Sequence, residues 1–365
     1  MKISTGRKLA VLVLAATLLA CGACQESDNN NTATPTKTGN TPITPADSPR
    51  MPARDYYKGF ASLLPPDGDF EAIYRKASEN AEFVDIWVGA ADSGYWNLGN
   101  YLRGDWGANF VEGLTRENGM FPIINLSFID RDPQTGKLIL KTPEGGSYSG
   151  LADPAFRTAY KRGALDAVRA SKPLYLSLGN EVNRWYEQYG AESGDPNGFQ
   201  HYVSLYEEIY DAVKEISPET KVFRVFAREI VDENREAGLE VLEMFDPDKV
   251  DILALTSYPF AVQGINIVSD IPDDYYSRVL EHFNAPGKPF GFTELGWSTL
   301  EAFGGEEGQA AFLEDAAGRL TAGQGLNLHL LGWFSLYDLE SDPHKTGLIS
   351  LNGEEKQAFK VWSGL

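Results

Sequence analysis

The chain has 365 residues, 42% of them hydrophobic and 12% aromatic, enough apolar material for one large domain or two ordinary ones. Its formal net charge is −20 at pH 7 and its sequence pI is about 4.6. That balance excludes the basic footprint of a nucleic-acid binder. Aromatic side chains on an acidic surface suit neutral ligands better than phosphates.

At the N-terminus, Lys2, Arg7 and Lys8 flank or precede an apolar run over residues 9–20, too short to cross a bilayer as a mature helix. It ends in Leu18-Leu19-Ala20-Cys21, which resembles the bacterial lipobox. The resemblance implies that residues 1–20 are a lipoprotein signal peptide and that Cys21 carries the lipid. It places the rest of the chain on the bacterial cell envelope, outside the cytoplasm, held to the membrane only by that anchor. The two cysteines, Cys21 and Cys24, both lie beside this cleavage site. The body of the chain therefore has no disulfide framework, thiolate nucleophile or cysteine zinc site. Residues 21–52 are rich in Asn, Thr, Pro and Ser and read as a disordered tether.

From residue 53 onward, strand-like and helix-like segments alternate. Apolar runs at residues 57–64, 83–89, 121–128, 173–180, 221–227, 250–257, 288–293 and 328–335 read as eight strands. Amphipathic segments at 154–170, 199–216, 273–283 and 308–321 read as helices between them. Near-continuous apolar strands separated by helices predict a parallel sheet covered on its faces. Eight such units predict an α/β fold of the (β/α)₈ TIM-barrel type, a single domain over residues 53–365. A doubly wound open sheet is the structural rival, but residues 57–67 lack its Gly-rich phosphate loop.

Two glutamates stand at predicted strand ends: Glu181 in Leu176-Ser-Leu-Gly-Asn-Glu181, and Glu294 in Pro289-Phe-Gly-Phe-Thr-Glu294-Leu-Gly-Trp297. A carboxylate at the end of a buried strand is costly unless it is paired or belongs to a site. Strands four and seven face one another across an eight-stranded barrel, so the two carboxylates are expected at one mouth. That is the equipment of a retaining glycosidase, which needs an acid and a carboxylate nucleophile about 5–5.5 Å apart. Other chemistries lack their residues. His201, His282, His329 and His344 are scattered without zinc spacing, Asp246-Pro-Asp-Lys-Val-Asp251 lacks the glycine and glutamate of a calcium loop, and neither Gly-x-Ser-x-Gly nor a Walker loop occurs.

Gly179-Asn180-Glu181 together with Thr293-Glu294-Leu-Gly-Trp297 resembles glycoside hydrolase clan A, over the whole of the predicted barrel. Its motifs echo the endo-acting galactanase (family 53), β-1,3-glucanase (family 17) and mannanase groups. The resemblance implies that Glu181 is the general acid/base and Glu294 the nucleophile. It implies that Asn180 binds the sugar 2-hydroxyl and that Tyr258, in Thr256-Ser-Tyr-Pro259, orients the nucleophile. The chain departs from the clan in two places. Gly89-Ala-Ala-Asp-Ser-Gly94 lacks the arginine that many members carry after strand two, leaving Arg228 as a substitute, and Trp333 stands near the slot that the clan fills with a tryptophan beneath the sugar. Of the tryptophans near strand ends, Trp87, Trp96, Trp106, Trp185 and Trp297, the last and Trp185 follow the catalytic glutamates and are expected to bind substrate. The expected activity is retaining, endo-acting cleavage of a β-linked polysaccharide or oligosaccharide by a monomer, with no cofactor and no metal. The rival from another class is a non-catalytic glycan-binding surface lipoprotein on the same barrel.

Overall fold

The computed structural model describes residues 42–87, 94–283, 285, 287–321 and 326–365. The signal segment, Cys21 and the loop 88–93 after the second strand lie outside the described residues. Among the described residues no helix is long and apolar enough to cross a membrane.

In chain order the elements are β1 Tyr57–Ser62, α1 Phe70–Ser78, β2 Phe83–Ile86, α2 Leu98–Arg103, β3 Phe121–Asn125, α3 Pro154–Ser171, β4 Tyr175–Ser177, α4 Asn183–Tyr189 and α5 Phe199–Ile216. They continue with β5, split into Lys221–Phe223 and Val225–Ala227, then β6 Leu253–Ser257, α6 Arg278–His282, β7 Pro289–Leu295, α7 Gly305–Thr321, β8 Asn327–Ser335 and α8 Gln357–Gly364. Every pairing between these strands is parallel, running β5–β4–β3–β2–β1–β8–β7–β6–β5. The first half of β5 pairs with β4 and the second half with β6, so the split strand closes the ring and the fold is the predicted TIM barrel.

Strand alternation sorts the side chains. Phe83, Phe121, Ile123, Val225, Ala254 and Leu330 belong to one buried cluster that fills the barrel, while their chain neighbours pack outward against the helices. At the base of the barrel Tyr175 OH lies 2.8 Å from His329 Nε2. Helix starts carry ordinary caps: Asp153 accepts from Ala155 N ahead of Pro154, and Asp69 accepts from Ala72 N.

Residues 42–52, placed by composition in the tether, run extended across the N-terminal ends of the strands. Ile43 N donates to Ile216 O at 2.7 Å, and Ala46 N to Lys172 O at 2.8 Å. Asp47, its side chain 4% exposed, takes a forked pair from Arg116 at 2.8 and 3.0 Å. This stretch has too few apolar groups to order by itself, but it satisfies backbone groups at the barrel's base and is ordered by them.

Candidate active site

β4 ends at Ser177, and the chain then turns through Gly179 (φ 138°) and Glu181 (φ 49°). A left-handed conformation at a residue with a Cβ costs of order 1–3 kcal/mol and persists where the surroundings impose it. They do so here. Val225 N donates to Gly179 O at 2.9 Å, Val182 N donates to Val225 O at 3.0 Å, and Asn183 exchanges two 2.8 Å bonds with the backbone of Ala227. A Cβ on Gly179 would stand 2.5 Å from Val182 Cγ1, so only glycine fits the turn.

Glu294 is delivered differently, from within β7. Phe290 and Phe292 point outward into the helix-covered core, and strict alternation would send Glu294 after them. The pairing of β6 with β7 shifts, however, from Leu255↔Phe292 to Thr256↔Glu294, so Thr293 is bulged. A bulge re-aims the following side chain, and here it turns Glu294 into the mouth.

There the predicted residues meet. Asn180 Nδ2 donates to Glu294 Oε1 at 3.1 Å, and Tyr258 OH donates to Oε2 at 2.6 Å. The Tyr258 ring lies so close over Gly296 that a Cβ there would be 2.8 Å from Cε1. Across the mouth, Thr256 Oγ1 donates to Glu181 Oε1 at 2.9 Å and Arg184 Nη1 to Oε2 at 3.0 Å. Arg184 also pairs with Asp232. Burial pushes Glu294 up to about 7, helped by the charge of Glu181 and opposed by the Tyr258 and Asn180 hydrogen bonds. Burial and the Glu294 charge keep the Tyr258 hydroxyl neutral, as a donor must be.

A third carboxyl shares the mouth. Asp85 lies two residues beyond Phe83, on the inward face of β2, and is hydrogen-bonded by Asn125 from β3. Among the described residues, Asp85 Oδ2 and Asn125 Oδ1 are buried with no hydrogen-bond partner beyond the Asp85 contacts to Asn125 and Trp87. Burial, then the charge of Glu294, raises Asp85 well above the usual carboxylate range, against hydrogen bonding from Asn125 and from the neighbouring Trp87. Sequence reading missed Asp85, Asn125, Thr256 and Arg184. The first three were findable by counting two residues at a time from inward-facing apolar positions, and Arg184 by its i,i+3 spacing from Glu181.

Four expected substrate contacts lie elsewhere. Trp297 is fully buried, donates to Phe303 O at 3.0 Å and stacks on Phe312. Trp333 is fully buried on the outward face of β8 and donates to Thr346 O at 2.9 Å. Leu330 faces the barrel axis, so Phe334 is the inward residue, and it packs edge-on to Tyr258 with ring centroids 5.9 Å apart. Trp185 is buried against Tyr189 and donates to Asn197 O at 2.7 Å. Arg228 is fully buried, over the Tyr275 ring and paired with Glu236 at 2.7 Å, with no bond to Glu294. Trp96 and Trp106 are half-buried, packed against Tyr95 and Phe110 respectively.

No sequence-family profile and no curated protein matches the chain. Solved structures do. A family 39 glycoside hydrolase from the gut symbiont Bacteroides cellulosilyticus WH2 is similar at 16% identity and TM-score 0.58, covering 87% of this chain, which spans 64% of that one. Xylanase 10B from Thermotoga maritima is similar at 14% identity and TM-score 0.55, over 85% of this chain and 94% of the xylanase. A fungal β-1,4-galactanase is similar at 16% identity and TM-score 0.54, over 85% of this chain and 99% of the galactanase. Identities this low speak to the fold alone, and that fold is the TIM barrel.

Proposed function

We propose that the protein is a retaining glycoside hydrolase that cleaves β-glycosidic bonds within a neutral polysaccharide or oligosaccharide. The observation that carries this reading is the joining of two strand-end glutamates at one mouth, Glu294 tied to Asn180, the residue before Glu181. Glu181 gives its proton to the departing glycosidic oxygen while Glu294 attacks the anomeric carbon, forming a glycosyl-enzyme. Water then displaces Glu294, yielding its proton back to Glu181. Tyr258 stays on one oxygen of Glu294. The Asn180 amide leaves the other for the sugar 2-hydroxyl, freeing it to attack.

Neutral substrates are favoured by the charges. Glu181, Glu294 and Asp85 converge here, and Arg184, the cation beside Glu181, is already shared with Asp232. A sugar carboxylate would meet repulsion from these carboxyls. Hydrolysis is therefore expected on one of β-galactan, mannan, β-1,3-glucan or mixed-linkage glucan and not on a β-glucuronide, read as reducing ends released by the full chain. The Glu294→Gln variant should lose about 10³-fold or more of that activity, with wild-type fold retained. Silence on every polymer with retained binding to one of them would favour the glycan-capture reading, which the absence of an ion pair to Glu294 among the described residues keeps in view.

The lipobox resemblance supports an envelope-anchored enzyme. Cys21→Ser should move the protein from the membrane fraction to the soluble one on cell fractionation. An unchanged membrane fraction would refute the anchor.

A further inference from the structure

A buried carboxylate that touches neither catalytic glutamate sits one hydrogen bond from the residue that holds Glu294. Glu229 follows β5 and is 1% exposed. Its Oε2 accepts the backbone N–H of Tyr258 at 2.7 Å. Its Oε1 accepts Tyr275 OH at 2.7 Å and Ser257 Oγ at 2.8 Å, and Tyr276 OH lies 3.2 Å from that same Oγ. Three donors converging on two oxygens call for a group that only accepts, which an ionised carboxylate is. Arg228, over the Tyr275 ring at 4.0 Å and paired with Glu236, supplies the nearby positive charge. Burial raises Glu229 to about 7, against the Arg228 charge and these hydrogen bonds.

The bond to Tyr258 N matters because of where the strand ends. β6 stops at Ser257, Pro259 follows, and the Tyr258 amide is held by a side chain. The other end of the same residue donates its hydroxyl to Glu294 at 2.6 Å. Thr256, two residues earlier, donates to Glu181 at 2.9 Å. The turn that Glu229 clamps therefore carries hydrogen bonds to both catalytic glutamates.

We propose that Glu229 is a positioning residue: its buried carboxylate fixes the backbone of Tyr258 and thereby keeps the phenol hydroxyl on Glu294. The consequence for turnover rests on the glycosidase reading; the hydrogen-bonded relay does not. In Glu229→Gln an amide N–H₂ replaces one acceptor and confronts a donor, so the turn must shift and the Tyr258 hydroxyl with it. The titratable groups facing Glu294 are Glu181 from the β4 turn, Asp85 from β2 and Tyr258 from β6, and the substitution alters none of them chemically.

The test is a carbon-13 NMR titration of the Glu294 carboxyl in the full chain, its signal assigned by its loss in Glu294→Gln. Glu229→Gln and Tyr258→Phe are each expected to raise the titration midpoint by about one pH unit, the size of a lost hydrogen bond to a charge. The double variant is expected to go no higher than Tyr258→Phe alone, because both changes remove the same bond. An unmoved midpoint in folded Glu229→Gln, or shifts that add, overturns the relay. Should Glu229→Gln not fold, Tyr275→Phe removes one donor and retains the carboxylate. It should give a smaller rise that vanishes in the Tyr258→Phe background, and an unmoved midpoint in Tyr275→Phe alone is equally fatal. A moved midpoint in a protein that cleaves no glycan leaves the relay standing and sinks only the hydrolase reading.

Discussion

Glu294 is held by two neutral donors, Tyr258 and Asn180, and raised by burial and by Glu181 to about 7. On the proposed hydrolase reading the attacking carboxylate must be ionised, so the acid limb of the kcat/KM profile should lie near pH 7. The Tyr258 bond favours the ionised form, and its removal must push the limb upward. Tyr258→Phe is accordingly expected to lose about tenfold in kcat/KM at pH 6 and to converge on the wild type well above pH 8. A profile that drops equally at all pH values would mean that the hydroxyl acts on substrate and not on Glu294. Asn180 and Tyr258 were legible as candidates from their motifs. Asp85 was not, because a lone aspartate in an apolar strand reads as an interruption until the barrel closes round it.

Elements decided which motif neighbours reach the mouth. Trp333 and Phe334 are adjacent in sequence and face opposite sides of β8, and the helix-facing side took the tryptophan. Trp297 is buried against Phe312 of α7 and Trp185 within α4, and each indole N–H finds a backbone carbonyl. The bulge at Thr293 did the reverse, rescuing Glu294 from the outward face. Composition also misread the strap over residues 42–52, whose weight lies in one forked ion pair. Asp47→Ala leaves Arg116, its side chain 14% exposed, without its buried partner at the base of the barrel. Because Arg116 keeps Glu112 and the Ser171 carbonyl, the loss of unfolding free energy is expected to be about 1–2 kcal/mol. Deletion of residues 42–52 should cost more, because backbone partners go too. Denaturant unfolding that shows the deletion equal to wild type would mean that the barrel does not need the strap.

At the scale of the whole molecule, acidity and burial act in one direction. Glu229 and Glu294 both stand near 7 in the folded protein, above the 4.5 of a free glutamate. A carboxyl raised by folding binds its proton more tightly in the native state. Its stabilising contribution is full below about pH 4.5 and is lost as pH rises through about 7. At about 1.4 kcal/mol per pH unit, each of these two groups accounts for about 3 kcal/mol across that window. Asp85 adds in the same sense, and so does self-repulsion in a chain of charge −20. The protein should therefore melt at a higher temperature at pH 5.5 than at pH 8, with the difference reduced in Glu229→Gln, which has no proton to lose. A melting temperature that climbs from pH 5.5 to 8 would show that these carboxyls are ionised in the folded state throughout.

By itself the sequence determined the strand and helix alternation, and hence the barrel, because apolar runs of strand length between amphipathic helices can be buried on both faces in few other ways. It also marked Glu181, Glu294, Asn180 and Tyr258, since charged and polar residues at the ends of buried strands stand out against their surroundings. Only the tertiary structure decided which side chains point inward. A side-chain period of two makes facing hostage to a single inserted residue or a one-residue error in register. The bulge beside Glu294, the outward Trp333 and the inward Asp85 all turn on that parity. The setting of Glu229 against the Tyr258 backbone likewise comes from the packing of β5 against β6, a contact between segments that no local pattern relates.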